Sequence, residues 1–158
     1  MTISYDSKMK RYTISSQEEM QKWGQEFAQS LVTPCIIELI GDLGAGKTTL
    51  VKGLGKGLGV KESIQSPSFT VFNHYKASNN RYVHHYDFYR LSDPGIMKHD
   101  LYESINNPEA ITVIEWAQSV QAILPLRRIV IKIDYDEVED TRVISCESLS
   151  EETEGNVI

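Results

Sequence analysis

A glycine-rich segment, residues 41–49, carries the most recognisable chemistry in this chain. It contains the pattern G-x-x-x-x-G-K-[ST], in which backbone N–H groups turn inward and bind phosphate oxygens. Lys47 can reach the terminal phosphates of a nucleotide, and the Thr48 hydroxyl can ligate Mg²⁺. We therefore predict a nucleotide-binding loop whose contacts come from eight consecutive residues: Asp42, Leu43, Gly44, Ala45, Gly46, Lys47, Thr48 and Thr49.

The loop lies between a predicted strand and a predicted helix, the context that such a loop requires. Residues 35–40 are mostly apolar, as is typical of a strand buried in a sheet. After the loop, apolar residues recur at helical spacing: Leu50, Val51, Leu54 and Leu58. The same helix contains three glycines, each of which disfavours it by on the order of 1 kcal/mol relative to alanine: Gly53, Gly55 and Gly57. The sequence alone offers no reason for all three.

Two carboxylates are candidates to complete a site around this loop. Glu115 directly follows residues 110–114, an apolar and β-branched run typical of a buried parallel strand. Asp87 ends a second predicted strand, Tyr82–Asp87. Ligand sites of open α/β sheets lie beyond the carboxyl ends of the strands, so both side chains are candidates for that region. Glu115 resembles the Walker B position, where aspartate is usual, whereas the spacing of Asp87 fits a site residue or a turn cap equally well.

The other predicted elements complete an α/β fold. Residues 70–75 and Tyr82–Asp87 are expected to pair as an antiparallel hairpin. Ser15 and Ser16 offer overlapping capping boxes for a helix over residues 17–31. The remaining predictions are strands at residues 12–14, 129–133 and 141–146, a helix at residues 96–105 and a short helix at residues 117–124.

Length and charge narrow the function classes. The 158 residues predict one domain over residues 1–149, followed by a flexible acidic tail over residues 150–158. The formal net charge of −6 disfavours direct binding to nucleic acid, because that affinity comes largely from clustered lysine and arginine. The polar residues 1–11 and the lack of a long apolar run predict a cytoplasmic protein without a membrane partner.

The cysteines and histidines do not suggest a metal site of their own. Cys35 and Cys146 form no C-x-x-C pair and are predicted to be buried free thiols. Without cysteines at ligand spacing, zinc binding is not expected. We therefore predict packing or surface roles for all four histidines: His74, His84, His85 and His99.

Four motifs, in order, resemble the TsaE (YjeE) family of small bacterial P-loop ATPases. They are the loop at residues 41–49, S-P-S-F at residues 66–69, H-Y-D-F-Y-R-L at residues 85–91, and the Glu115-Trp116 pair. Together they extend the resemblance over residues 12–146. The family is needed to make the threonylcarbamoyladenosine modification of tRNA, at adenosine 37. The chain departs from the usual family pattern in two places. Ser68 replaces the threonine of S-P-T-F, and Asp93-Pro94 is followed by Gly95, Ile96 and Met97 in place of the residues common in the family.

The resemblance implies a P-loop NTPase-like three-layer sandwich, a mixed sheet with a parallel centre and flanking antiparallel strands. It also implies ATP and Mg²⁺ as cofactors, with Thr48 and Glu115 as metal ligands and Asp87 and Lys47 in hydrolysis. The implied partners are TsaD and TsaB, with ATP promoting assembly and tRNA contacted only indirectly.

Two alternatives use the same loop. A small-molecule or nucleoside kinase would need a lid with several arginines and an acceptor pocket, neither of which the sequence displays. A nucleotide-gated binding module would bind ATP without hydrolysing it. The segment at residues 66–69 is a candidate switch near the γ-phosphate, or a simple turn into the next strand.

Overall fold

A seven-stranded mixed sheet forms the centre of the structure, a computed structural model that describes residues 9–150. The strands are β1 (Lys10–Ile14), β2 (Cys35–Gly41), β3 (Phe72–Lys76), β4 (Tyr82–Asp87), β5 (Ala110–Glu115), β6 (Arg128–Tyr135) and β7 (Arg142–Leu149). The helices are α1 (Gln17–Ala28), α2 (Lys47–Gly57) and α3 (Met97–Ile105), together with a 3₁₀ helix at Ala117–Ile123.

The strand order β1-β7-β6-β2-β5-β4-β3 confirms the predicted sheet. β2 pairs in parallel with both β5 and β6, and β5 pairs in parallel with β4. The pairs β1–β7, β6–β7 and β3–β4 are antiparallel, so the predicted hairpin is also confirmed. The parallel centre brings the carboxyl ends of β2, β4 and β5 to one edge of the sheet, where the loop after β2 begins.

Alternation along β2 divides the core between the two faces of the sheet. Ile37 and Leu39 pack into a cluster with the apolar sides of α1 and α2, whereas Ile36 packs with Leu101 of α3 and Val120 of the 3₁₀ helix. Since successive side chains of a strand point to opposite faces, both faces of this central strand are covered. The arrangement is the predicted three-layer α/β sandwich.

The glycines of α2 allow it to pack closely against α1. A Cβ atom on Gly53 would overlap the carbonyl oxygen of Gln21, and one on Gly57 would lie 2.5 Å from the carbonyl oxygen of Gln25. From the other helix, a Cβ atom on Gly24 would lie 2.6 Å from the carbonyl oxygen of Leu50. Gly55 faces the end of the Ile64 side chain instead. Backbone contact between the helices therefore explains two of the three α2 glycines.

Several predicted boundaries move by a few residues. Helix α1 ends at Ala28 rather than at residue 31, although Leu31 is still buried in the core. Strand β3 begins at Phe72 rather than at residue 70, because Val71 has a φ of 66° and interrupts the extended chain. Strands β6 and β7 are longer than predicted, since their pairing extends β6 to Tyr135 and β7 to Leu149, which pairs with Arg128.

Two further predictions concern the ends of the chain and its surface. Of the predicted acidic tail, only Ser150 lies within the described residues, and the domain limits of 1–149 stay a prediction. Within residues 9–150, no helix is long and apolar enough to cross a membrane. Cys35 and Cys146 are free, and they are half-buried rather than fully buried as predicted, because both lie on strands near the borders of the core.

Candidate nucleotide-binding site

The loop between β2 and α2 has the backbone that its glycines predict. Gly44 and Gly46 adopt left-handed conformations, with φ of 78° and 108°, which residues with a side chain rarely adopt. Gly46 is also the N-cap of α2 and provides no side chain to bond the first amide groups of the helix. Those N–H groups, at the positive end of the helix dipole, are therefore available to a phosphate.

Lys47, the first residue of α2, folds back onto its own loop. Its Nζ donates hydrogen bonds to the carbonyl oxygens of Gly41 at 2.6 Å and Asp42 at 2.9 Å. The ammonium also lies over the ring of Trp116, 5.1 Å from its centroid. Burial lowers the pKa of Lys47, and the nearby carboxylates of Glu115, Asp87 and Asp42 counter that effect. All three carboxylates therefore act on the same ammonium group.

A tyrosine from β6 supports the tip of the loop. The Tyr135 hydroxyl donates a hydrogen bond of 3.0 Å to the carbonyl oxygen of Leu43. The guanidinium of Arg142 lies over the ring of Tyr135, 4.1 Å from its centroid. The sequence analysis missed both residues, because the hairpin register that brings them to the loop is not visible in a local pattern.

Asp87 and Glu115 end neighbouring parallel strands and are paired in the sheet register. Each is only 3% exposed, so these are buried carboxylates and not surface ones. Asp87 accepts hydrogen bonds from the Tyr89 N–H at 2.8 Å and from the Ser68 hydroxyl at 3.2 Å. Asp87 can therefore be both a turn cap and a site residue, since one carboxylate oxygen caps a turn while the other contacts the segment at residues 66–69.

Glu115 has a partner that the sequence analysis did not assign. His85 is fully buried, and its Nε2 lies 2.9 Å from Glu115 Oε1. The other ring nitrogen, Nδ1, is buried and has no hydrogen-bond partner in the part of the chain that the structure describes. The available signal was the alternation of β4, which puts His85 and Asp87 on the same face of the strand.

A pocket of about 540 Å³ lies against the loop. Its walls include the loop residues 43–49, together with Glu115, Trp116, Ser66, Ser68 and Arg142. The remaining lining residues come from the end of β1, the start of α1 and the β6–β7 turn: Ile14, Ser15, Ser16, Gln17, Met20 and Asp140. The pocket is large enough for a small-molecule ligand and combines apolar walls with a phosphate-binding loop.

The predicted metal ligands line this pocket together. Thr48 and Glu115 would offer a hydroxyl and a carboxylate, the hard oxygen donors that Mg²⁺ prefers. Within residues 9–150, no group of three or more His, Cys, Asp or Glu side chains is placed to hold a metal ion. A cation here would therefore complete its shell with phosphate oxygens and water, as is usual for Mg²⁺. The residues present fit such an ion.

Two arginines occupy different places around the site. Arg142 lines the pocket itself, whereas Arg90 lies in a neighbouring cavity with Tyr89 and Trp116. Arg90 has a φ of 67°, and its guanidinium lies 5.2 Å from the Tyr89 ring centroid. Of these two arginines, the one in the wall of the predicted nucleotide pocket thus comes from β7, and not from the motif at residues 85–91.

Comparison with known proteins identifies the family. The family model described as threonylcarbamoyl adenosine biosynthesis protein TsaE matches residues 14–144. The chain belongs to the TsaE family. It is 33% identical to the TsaE protein of Haemophilus influenzae, over 84% of this chain and 87% of that protein. It is 32% identical to the TsaE protein of Streptomyces coelicolor, over 84% of this chain and 92% of that one.

A solved structure has the same fold as this TsaE family member. The crystal structure of the Bacillus protein YdiB superposes with a TM-score of 0.76 at 26% identity, covering 93% of this chain and 90% of that one. The matched TsaE range contains the loop, both buried carboxylates and His85. Membership in the TsaE family gives this chain a role in threonylcarbamoyladenosine biosynthesis.

Proposed function

We propose that this chain is a Mg²⁺-dependent ATPase of low intrinsic turnover that supports the modification of tRNA adenosine 37. In this proposal ATP controls its assembly with TsaD and TsaB, and the contact with tRNA is indirect. Because tRNA is what that pathway modifies, we expect the protein to act in the cytoplasm.

One observation carries the hydrolytic part of the proposal. The phosphate-binding loop and two buried carboxylates, Asp87 and Glu115, converge at one edge of the sheet. All three elements act on Lys47, whose Nζ contacts the loop and whose pKa reflects both carboxylates. A loop that only binds nucleotide does not need a second buried carboxylate beside the first.

The charges of the site support a requirement for Mg²⁺. Asp42, Asp87 and Glu115 all act on the single ammonium of Lys47, so carboxylates outnumber the lysine. A triphosphate bound beside them would be repelled unless a cation accompanied it. When bound, Mg²⁺ would supply positive charge against the charge that develops during transfer. Thr48 and Glu115 would hold it from the protein side.

In this proposal Asp87, which lies behind Ser68 of the pocket wall, orients the attacking water. Its Oδ2 already binds a hydroxyl, that of Ser68 on the pocket wall. A carboxylate that accepts a hydrogen bond from one hydroxyl can accept one from water and orient it for attack. Arg142 of the pocket wall stacks on Tyr135 and Arg90 lies in a neighbouring cavity, so we expect incomplete stabilisation of the transition state and slow turnover.

The assembly part of the proposal rests on the family and on the segment at residues 66–69. Ser66 and Ser68 line the pocket, while the adjacent Phe69 side chain is 99% exposed. A segment with hydroxyls at the nucleotide and an apolar side chain in solvent is suited to reporting the nucleotide state to a partner. TsaD and TsaB are the partners that the family resemblance implies.

The test combines a turnover assay with a pull-down. Purified protein should release phosphate from ATP only with Mg²⁺, and immobilised protein should retain TsaD and TsaB homologues with ATP but not with ADP. Lys47→Ala as bait should lose the ATP-dependent retention. Transfer of phosphate to added nucleosides in place of water would favour the kinase alternative. Retention by ATP without any phosphate release, even with partners present, would favour the binding module.

A further inference from the structure

His85 is a buried polar group that the proposed mechanism does not yet use. It lies on β4, two residues before Asp87, and its side chain is completely excluded from solvent. The register of the parallel strands pairs Asp87 with Glu115 and His85 with Val113. His85 therefore reaches diagonally across to the last residue of β5, where its Nε2 meets Glu115 Oε1 at 2.9 Å.

The unpaired nitrogen of His85 shows where its hydrogen bonding is directed. A carboxylate only accepts, so Nε2 donates the hydrogen of this contact. Nδ1 is buried without a hydrogen-bond partner among residues 9–150. A side chain needed only to fill space would pack here more favourably as an apolar residue of similar size. Among residues 9–150, the contact with Glu115 is thus the one hydrogen bond that this imidazole makes.

The Glu115 carboxylate can adopt several orientations unless a partner fixes it. A glutamate side chain has three rotatable bonds, and this one extends from the end of a strand into the wall of the nucleotide pocket. The hydrogen bond from His85 engages Oε1 and restricts the carboxylate to one orientation, which leaves Oε2 for a cation. Partners that orient metal-binding side chains in this way contribute strongly to metal affinity.

We propose that His85 is a positioning residue that orients the Glu115 carboxylate for Mg²⁺ ligation. The inference rests on the proposed function, because it takes Mg²⁺–ATP as the ligand. It assigns a role in metal binding to the histidine that opens the motif at residues 85–91, while Asp87, two residues later, acts on the water.

The experiment measures ATP affinity by calorimetry over a series of Mg²⁺ concentrations and again in EDTA. His85→Leu should raise the Mg²⁺ concentration needed for half of the affinity gain by about 10-fold to 100-fold. It should leave the affinity for ATP in EDTA unchanged. His85→Gln, which keeps an N–H donor near the position of Nε2, should recover most of the loss. The matched control is His84→Leu on the same strand, whose Nδ1 contacts Ser104 and not Glu115.

Three outcomes would overturn the inference. They are a Mg²⁺ dependence of His85→Leu equal to that of His84→Leu, an equal loss of ATP affinity with and without Mg²⁺, or no recovery in His85→Gln. If His85→Leu does not fold, His85→Asn replaces it. Asparagine is too short to reach Glu115, so a defect in His85→Asn but not in His85→Gln supports the inference, and equal behaviour overturns it.

Glu115→Gln separates this inference from the proposed function. If Glu115→Gln binds ATP with the Mg²⁺ dependence of the unmodified protein, the metal site itself is wrong. If Glu115→Gln loses that dependence while His85→Leu keeps it, the metal site stands and only the role of His85 fails.

Discussion

Asp87 and Glu115 face each other in register at the ends of β4 and β5, yet they have different partners. Asp87 is held by the Tyr89 amide and the Ser68 hydroxyl, whereas Glu115 is held by His85. Two adjacent carboxylates with separate hydrogen-bond partners can take separate roles, one toward water and one toward a cation. The first prediction follows from this division.

Asp87→Asn should keep ATP affinity within about 3-fold and lower the rate of hydrolysis by about 100-fold to 10,000-fold, the usual contribution of general acid–base catalysis. The amide oxygen of asparagine can still accept the Tyr89 N–H, so the turn is preserved. Calorimetry and a phosphate-release assay make the comparison. The control is Asp93→Asn, since Asp93 caps the Gly95 amide in the same way outside the pocket. Wild-type turnover in Asp87→Asn would mean that Asp87 is a structural cap.

Lys47→Ala should lower ATP affinity by at least about 100-fold. Lys47 is expected to exchange its bonds to the Gly41 and Asp42 carbonyls for charge-assisted bonds to phosphate, each worth about 1.5–3 kcal/mol. Lys52→Ala is the matched control, because Lys52 is exposed on the same helix. Thermal unfolding should show that both variants fold. Unchanged ATP affinity in Lys47→Ala would show that the loop is not part of the nucleotide site.

Trp116 should report the movement of Lys47. Its ring lies 5.1 Å from Nζ, so the environment of the indole changes when the ammonium leaves the loop carbonyls for a phosphate. The second tryptophan, Trp23, stacks on Phe27 of the same helix and can be removed with Trp23→Phe. In that variant, ATP should change the emission with a midpoint equal to the calorimetric Kd. The contact between Lys47 and Trp116 would be contradicted if ATP did not change the emission of Trp23→Phe. It would also be contradicted if ATP still changed the emission of Trp116→Phe.

Gly53→Ala should lower the free energy of unfolding by about 1–3 kcal/mol, the usual range for overpacking. Helix propensity alone predicts a gain of about 1 kcal/mol, so the sign of the effect tests the packing. The added methyl group would overlap the Gln21 carbonyl of α1. Gly55→Ala meets only the flexible end of Ile64 and should be milder. Urea denaturation compares the two, and stabilisation by Gly53→Ala would refute the close packing of the helices.

Cys35 should be a poor nucleophile at neutral pH. Burial raises the pKa of its thiol from 9.0 to about 11, so the reactive thiolate becomes scarcer at any pH below that value. At pH 8, a shift of two pKa units reduces the thiolate fraction about 100-fold, and alkylation should slow accordingly. Iodoacetamide labelling of the Cys146→Ser variant, folded and in urea, measures this ratio. Similar rates in both states would show that Cys35 is not protected.

The local patterns predicted most of the elements and their types. The loop at residues 41–49, the buried strand before Glu115 and the hairpin ending at Asp87 are all present where the sequence placed them. These three predictions succeeded because glycine spacing, β-branched runs and turn residues act on the backbone within a few residues. Boundaries moved where one residue left the regular conformation, as Val71 does before β3.

Contacts between distant residues were not predictable in the same way. His85 and Glu115 are 30 residues apart, and Tyr135 and Leu43 are 92 apart. Each contact depends on strand order and on the pairing register, and a shift by one residue would turn every side chain to the other face. Local patterns therefore predict only a packing or surface role for this histidine, although its position two residues before Asp87 is visible in the sequence.

The sequence by itself determined that a glycine-rich loop lies between a strand and a helix and that two carboxylates end strands of the sheet, since these properties depend on near neighbours. Only the tertiary structure decided that those carboxylates are buried side by side, that His85 binds one of them, and that α1 and α2 meet along glycines. The physical reason is that burial and pairing belong to the packed sheet, in which residues far apart in the chain exclude water from one another.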